Sequence, residues 1–145
     1  MKRIIKYKIL HAQKIVIEYY SGPISLDDIK ELKSTEIKDK DFNPNYNILM
    51  DGRETKLITN HQDILDLINY IKSNPKIIGN RNSSFLTSTP DQVAKTTLLK
   101  LQSDIFPMNY NIFSTLYAAL AFIRVPKDSY LIVEGVLNEM KNNTA

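Results

Sequence analysis

The stretch from Asn45 to Gln62 constrains the fold most, because it predicts a buried strand, a short connection and a helix. Tyr46–Met50 is a short and mainly apolar run, which is typical of a strand buried on both faces. Asp51-Gly52 has turn chemistry and predicts the end of that strand. Thr59, with Gln62 three residues later, predicts a capping box at the next helix start. A buried strand that leads into a capped helix is half of a βαβ unit.

Two alternating segments precede this unit, Arg3–Leu10 and Lys14–Tyr20. In each of them apolar residues recur at every second position, which is the period of a strand. The residues between them are few enough for a tight connection, so the pair predicts an antiparallel hairpin. Lys6 and Lys8 share one face of the first segment and favour a solvated sheet edge that is protected by charge.

A helix is predicted to connect this hairpin to the buried strand. Ser21-Gly22-Pro23 predicts a turn, and Ser25 is a suitable helix cap. Ile24 before the cap and Ile29 after it predict a hydrophobic staple, which would fix the angle at which the chain enters the helix.

The second half of the chain continues the alternation of strands and helices. Ser83–Thr87 and Tyr110–Phe113 predict two short strands. Between them, Thr89 and Gln92 predict a second capping box, with Pro90 at the first helical position. We expect the apolar residues of that helix to pack on the sheet: Val93, Leu98, Leu101 and Ile105.

Two further helices are predicted near the end of the chain. Ser114 or Thr115 would cap the segment Leu116–Ile123, which is apolar almost all round and is therefore expected to be buried. Ser129 is expected to begin the last helix.

This order of elements predicts the α/β class. The prediction is a mostly parallel mixed sheet of about five strands, opened by an antiparallel hairpin and accompanied by four to five helices. A length of 145 residues fits a single domain over residues 1–145, and the 43% apolar content is normal for a folded protein.

The composition excludes several function classes. The chain has no cysteine, which excludes disulfides, thiol catalysis and thiolate metal sites. The net charge of +3 is a weak signal for nucleic acid, and no apolar run is long enough to span a membrane. Lys6 and Lys8 interrupt the N-terminal apolar run before it could serve as a signal peptide, so we expect a cytoplasmic protein. Two histidines without a suitable set of neighbours predict neither a metal nor a catalytic base, and we expect no cofactor.

Three segments carry a resemblance to a known family. They are the hairpin that ends in Tyr20-Ser21-Gly22, the run Asn47-Ile48-Leu49-Met50-Asp51-Gly52-Arg53, and Phe113-Ser114-Thr115 followed by Ala118, Ala119, Leu120 and Phe122. Together they resemble the STAS-like domains, named for sulfate transporters and anti-sigma-factor antagonists, and in particular their small bacterial members of unassigned role. The resemblance implies a SpoIIAA-like fold and a non-enzymatic regulatory domain that binds a protein, with a homodimer as one form of that binding.

The resemblance also implies where a phosphorylation switch would lie. Antagonist members of the family carry a phosphorylatable serine in an Asp-Ser-Ser-Gly-like motif at a helix start, and the matching segment here is Ile58-Thr59-Asn60-His61. Asn60 stands at the position of the serine and cannot carry a phosphate. We expect the usual phosphoserine switch to be missing, and we expect the Thr59 hydroxyl to be occupied as a helix cap.

Two groups of residues are candidates for ligand or partner binding. The helix starts at Ser25, Thr59 with the adjacent Asn60, Thr89 and Thr115 would share the C-terminal edge of a parallel sheet, where helix dipoles favour anions. The alternative function is therefore a small-ligand domain for an anionic or amphiphilic molecule, although capping alone explains these residue types. Asp51 and Arg53 follow the buried strand; Arg53 could bind an anion, or the two could form a local ion pair that orders the loop.

Overall fold

The computed structural model describes residues 2–103 and 109–142, which form one mixed sheet with helices on both faces. The strands are β1 Ile4–Leu10, β2 Ile15–Ser25, β3 Asn47–Ile58, β4 Asn82–Leu86 and β5 Asn109–Phe113. They lie side by side in chain order. The first two strands are antiparallel and every later pair is parallel, which confirms the predicted α/β class and the opening hairpin.

Six α-helices occur in the described residues, one or two more than predicted. They are α1 Leu26–Glu36, α2 His61–Lys72, α3 Pro75–Ile78, α4 Pro90–Ser103, α5 Leu116–Phe122 and α6 Tyr130–Asn142. The unpredicted one is α3, a single turn that follows directly after α2. A short 3₁₀ turn, Lys127–Ser129, precedes α6, so the last helix begins one residue after the predicted Ser129.

Each face of the sheet has its own apolar core, and β2 contributes to both. Val16 and Tyr20 point to the face covered by α1 and α2, called here the α2 face. Ile15, Ile17 and Tyr19 point to the face covered by α5 and α6, called the α6 face. Alternate residues of a strand point to opposite faces, so a strand buried on both faces is apolar at nearly every position.

The two central strands are longer than the sequence predicts. Ser21-Gly22-Pro23 is not a turn but part of β2, and Asp51-Gly52 does not end β3. The two extensions pair with each other, from Ser21 opposite Glu54 to Ser25 opposite Ile58. Each extension is stabilised by the other, a long-range effect that the local sequence of either one does not reveal.

The Asp51-Gly52 pair forms a bulge rather than a turn. Tyr19 is opposite Asp51 whereas Ser21 is opposite Glu54, so β3 holds one extra residue at this point. Glycine is needed here because a Cβ on Gly52 would lie 2.6 Å from the ring of Phe85. The small residue that predicted a turn instead allows an aromatic side chain to pack against the strand.

The segment Leu116–Ile123 is buried on one side only. Leu116, Ala119, Leu120 and Ile123 are in the core of the α6 face, but Tyr117 is 47% exposed. The prediction of burial almost all round was therefore wrong. The helix lies on the surface of the sheet and is covered by α6 only in part.

Candidate functional site

Four helices begin at the C-terminal edge of the parallel strands, called here the rim. Their first backbone N–H groups are bound by capping side chains. Ser25 accepts from the N–H of Asp28 at 3.2 Å, and Thr89 accepts from that of Gln92 at 3.2 Å. Thr115, rather than Ser114, caps α5 and accepts from the N–H of Ala118 at 3.3 Å. Capping therefore occupies the side chains that had suggested an anion site.

The start of α2 differs from the prediction, because its cap is Asn60 and not Thr59. The Asn60 side chain accepts from the N–H of Asp63 at 2.9 Å, and the Asp63 carboxylate accepts from the N–H of Asn60 at 3.2 Å. Thr59 instead donates its hydroxyl to the Asn60 carbonyl at 3.2 Å. Asn60 and Asp63 form as good a capping box as Thr59 and Gln62 would, one residue later in the chain.

Asp51 and Arg53 form a tight pair at the bulge. Arg53 donates from Nε at 3.0 Å and from Nη2 at 2.9 Å to the two oxygens of the Asp51 carboxylate. This hydrogen bonding raises the pKa of Arg53. Lys141 of α6 approaches the same carboxylate at 3.7 Å and Glu54 at 3.9 Å. Asp51 is fully buried and lies beside two cations, so its charge is already compensated.

Beyond the bulge, β3 has a strand partner on one side only. β4 pairs with β3 from Ile48 to Asp51 and then ends at Leu86. The carbonyl groups of the later β3 residues are instead bound by side chains at the start of α4. Gln92 donates to the Arg53 carbonyl at 3.0 Å and to the Thr55 carbonyl at 2.8 Å. Ser88 also donates to the Arg53 carbonyl, at 2.6 Å, and Lys95 donates to the Leu57 carbonyl, at 2.6 Å.

These hydrogen bonds hold the polar side of α4 against the sheet. The helix buries Gln92 and Thr96 against the sheet, because the strand edge beneath it needs donors rather than hydrocarbon. Three of its apolar residues consequently face outward, with Val93 43%, Leu98 53% and Leu101 61% exposed, whereas Leu99 is half-buried and packs against the core of the α2 face. The expectation that these three residues pack on the sheet was wrong, and Ile105, the fourth, lies outside the described residues.

A groove at the rim adjoins this outward face. It has a volume of about 570 Å³ and lies between the start of α4 and the residue before the α5 cap. Its walls are Thr87, Ser88, Thr89, Pro90, Val93, Ala94 and Ser114. Of the predicted binding residues, the groove includes Thr89, whereas Asp51 and Arg53 lie at the bulge and Thr59 and Asn60 at the start of α2.

A buried polar cluster on the α2 face was not predicted. Glu18 of β2 accepts from Lys33 at 2.5 Å and from the Tyr20 hydroxyl at 2.5 Å. Burial alone would raise the pKa of Glu18, but Lys33 and these hydrogen bonds hold it below its usual value. Burial, together with the Glu18 charge, raises the pKa of Glu36 to about 10, so Glu36 is protonated at neutral pH. A lone acidic residue in an apolar central strand is the signal that could have indicated this cluster.

Two other classes of site are absent from the described ranges, 2–103 and 109–142. No group of three or more histidine or acidic side chains there could hold a metal ion. No helix in the same ranges is long and apolar enough to cross a membrane.

Known proteins of similar structure have low sequence identity to this chain. No family model matches the sequence, and no curated protein matches it. Among solved structures, an uncharacterized protein of the DUF3478 family with a SpoIIAA-like fold, from Shewanella loihica, is 18% identical, with a TM-score of 0.56 over 85% of this chain and 96% of that one. An anti-sigma factor antagonist from Mycobacterium paratuberculosis is 16% identical, with a TM-score of 0.55 over 85% and 95%. The chain thus has the SpoIIAA-like fold that its resemblance to STAS-like domains implied.

Proposed function

We propose that the protein is a non-enzymatic regulatory domain that binds another protein through the outer face of α4. This face consists of Val93, Leu98 and Leu101, and the rim groove continues it. The observation that carries the proposal is the burial pattern of α4, in which Gln92 and Thr96 face the sheet and three large apolar side chains are exposed. We also propose that residues 1–145 form one domain and that the protein acts in the cytoplasm.

The arrangement of these residues supports a binding surface. Single exposed apolar residues are common on proteins and need no explanation. Here three large ones lie on a single helix, and Leu98 and Leu101 are three residues apart, the spacing of neighbours on a helix surface. Contiguous apolar surface that borders polar residues marks interaction sites more often than isolated residues do.

The structural neighbours support a protein as the partner. One of the similar structures is described as an anti-sigma factor antagonist, and by that description it acts on another protein. A second copy of this chain is one partner that the α4 face could bind. The proposal includes no phosphoserine switch, because Asn60 stands at the matching position and caps α2.

A small-ligand site at the rim, the alternative function, has less support. The hydroxyl or amide oxygen at each of the four helix starts already accepts a backbone hydrogen bond. Arg53, the other candidate for an anion, already binds Asp51 with two nitrogens.

Site-specific crosslinking tests the proposal, and the absence of cysteine makes any introduced thiol unique. A benzophenone probe would be attached to Leu98→Cys and, as a matched control, to Ile132→Cys on α6. The two native residues are equally exposed, at 53% and 54%. Illumination in native cell extract should yield a protein adduct from position 98 only, and a dimer of the chain itself would count as such an adduct.

The captured protein would then be purified and titrated calorimetrically. We expect saturable binding to the wild-type chain and at least about a tenfold weaker Kd for Leu98→Asp, because a charge in an apolar contact is not solvated. Equal adducts from both positions, or unchanged affinity in Leu98→Asp, would contradict the proposal.

A further inference from the structure

A small cavity lies inside the α2 face and is lined by residues of α1, α2, α3 and α4 and of β3, β4 and β5. Its volume is about 60 Å³, and its walls are mainly apolar, including Ile48, Ile68 and Phe85. The cavity is near the start of β4 and β5, because Arg81 directly precedes β4 and Tyr110 is the second residue of β5. It is therefore separate from the rim, where those strands end.

Two polar groups on the cavity wall have unused hydrogen-bonding capacity. Arg81 and Tyr110 both line the cavity, and they are 8% and 6% exposed. Neither Nη1 of Arg81 nor the hydroxyl oxygen of Tyr110 has a hydrogen-bond partner among the described residues. Buried polar atoms are normally paired, and an unpaired one is destabilising. Both atoms are therefore available to a ligand in the cavity.

The local backbone holds Arg81 in this position. The short helix α3 ends at Gly79, whose φ of +55° favours glycine, and a Cβ there would lie 2.1 Å from the Pro44 carbonyl oxygen. From this turn the guanidinium reaches back, donates from Nη2 to the Ile77 carbonyl and lies 5.3 Å from the centre of the Phe42 ring. One side of the guanidinium is thus fixed while Nη1 stays unpaired.

Two cations line the cavity, Lys33 and Arg81. Lys33 is paired with Glu18 at 2.5 Å. Glu36 is the other nearby acid, but burial raises its pKa to about 10, and it is neutral at pH 7. Arginine stays charged in proteins. Burial also raises the pKa of Tyr110, which therefore remains a neutral hydrogen-bond donor. Burial lowers the pKa of Arg81, whereas the nearby Glu18 and Glu36 raise it. The site thus offers two hydrogen-bond donors without a partner, a guanidinium nitrogen and a hydroxyl.

We propose that this cavity binds a short-chain monocarboxylate whose carboxylate meets Arg81 Nη1 and the Tyr110 hydroxyl. The hydrocarbon part lies against Ile48, Ile68 and Phe85, which are apolar and offer nothing to a second charged group. A water-sized atom needs about 10–15 Å³ by this measure of volume, so the ligand has roughly four to six non-hydrogen atoms. Propionate and butyrate have this size and charge. The site goes beyond the proposed protein-binding function and does not depend on it.

Calorimetry and thermal unfolding with butyrate test the proposal. The matched probes are butyramide, which has the same size without the charge, butylammonium, which reverses it, and inorganic phosphate, which lacks the hydrocarbon. At equal ionic strength, we expect butyrate to give saturable heat and a melting temperature that rises with its concentration, because it binds only the folded state. We expect the three other probes to give neither signal.

Two variants locate the site. Tyr110→Phe removes the hydroxyl alone, and it should leave the melting temperature of the free protein unchanged or higher because that hydroxyl has no partner. It should weaken butyrate binding about tenfold, the loss expected for one hydrogen bond to a charged group. Arg81→Met should abolish binding. Tyr70→Phe, whose ring is outside the cavity wall, is the control and should bind like wild type.

Three results would overturn the proposal. The first is the absence of heat and of thermal shift with acetate, propionate and butyrate, which would mean that the cavity holds water only. The second is stabilisation by butyramide or by phosphate equal to that by butyrate. Equal stabilisation by butyramide would mean that the charge is not recognised, and equal stabilisation by phosphate would mean that the hydrocarbon is not. The third is unchanged affinity in Tyr110→Phe, which decides the question even if Arg81→Met fails to fold.

Discussion

Helices α2 and α4 lie on the same face of the sheet and start alike, yet they bury opposite kinds of residue. Each begins with a capping box, made by Asn60 and Asp63 in α2 and by Thr89 and Gln92 in α4. α2 buries only apolar residues, namely Ile64, Leu67, Ile68 and Ile71. α4 buries Gln92 and Thr96 and exposes Val93, Leu98 and Leu101.

The backbone beneath α4 accounts for the difference. α4 lies beside the part of β3 that extends past the end of β4, where carbonyl groups have no strand to bind them. A buried carbonyl without a donor costs more than an exposed leucine, so the polar side of α4 turns inward. The burial pattern of a helix thus depends on which hydrogen bonds the neighbouring backbone still lacks.

The largest expected effect is the loss of stability when a leucine of α2 is truncated to alanine, compared with the same change in α4. Leu67→Ala should lower the free energy of unfolding by about 2–5 kcal/mol, because Leu67 is 1% exposed in a packed core. Leu98→Ala should change it by less than about 0.5 kcal/mol. Urea denaturation of both variants measures this difference. Similar losses at the two positions would show that α4 packs as α2 does.

A smaller effect is expected when the polar contact of α4 is removed. Gln92→Leu should destabilise by about 1–3 kcal/mol although it adds hydrocarbon, because it leaves the Thr55 carbonyl without its donor. The matched control is Gln62→Leu at an exposed site in α2, where only a hydrogen bond to Asp66 is lost. Denaturation midpoints of the two variants compare them, and a stabilising Gln92→Leu would refute the explanation given for α4.

The smallest effects concern the two helix starts, where α2 and α4 are alike. Asn60→Ala and Thr89→Ala should each cost about 1 kcal/mol, because each removes an acceptor for a backbone N–H. Thr59→Ala should change stability by less than about 0.5 kcal/mol, since the Thr59 hydroxyl only contacts the next carbonyl. Thermal unfolding measures all three. If Thr59→Ala lost as much stability as Asn60→Ala, Thr59 and not Asn60 would be the residue that caps α2.

Features that depend on local chemistry could be predicted from the sequence. The hairpin, the caps at Ser25 and Thr89 and the apolar stripe of α2 each follow from residues a few positions apart. The strand extensions could not be predicted, because Ser21–Ser25 and Glu54–Ile58 stabilise each other across the sheet. The orientation of α4 depends in turn on the length of β4, so the same long-range pairing decides which residues of α4 are exposed.

The wall of the cavity was missed for a different reason. Pro75 and Gly79 are a local signal for a short helix, with proline near its start and glycine after its end. These two residues are therefore sufficient to predict α3 from the sequence. That Arg81 then turns into the core depends on the approach of the Pro44 carbonyl to Gly79, which involves a distant loop.

Thiol reactivity across α4 tests most directly whether the polar side of this helix faces the sheet. Single-cysteine variants Leu98→Cys and Thr96→Cys would be reacted with a maleimide in the folded protein and, as a reference, in urea. We expect position 98 to react nearly as fast as in urea. Position 96 should react at least about a hundredfold more slowly than in urea, because its reaction requires local opening. Fast reaction at 96 with protection at 98 in the isolated chain would contradict the reversed orientation, and with it the proposed binding surface.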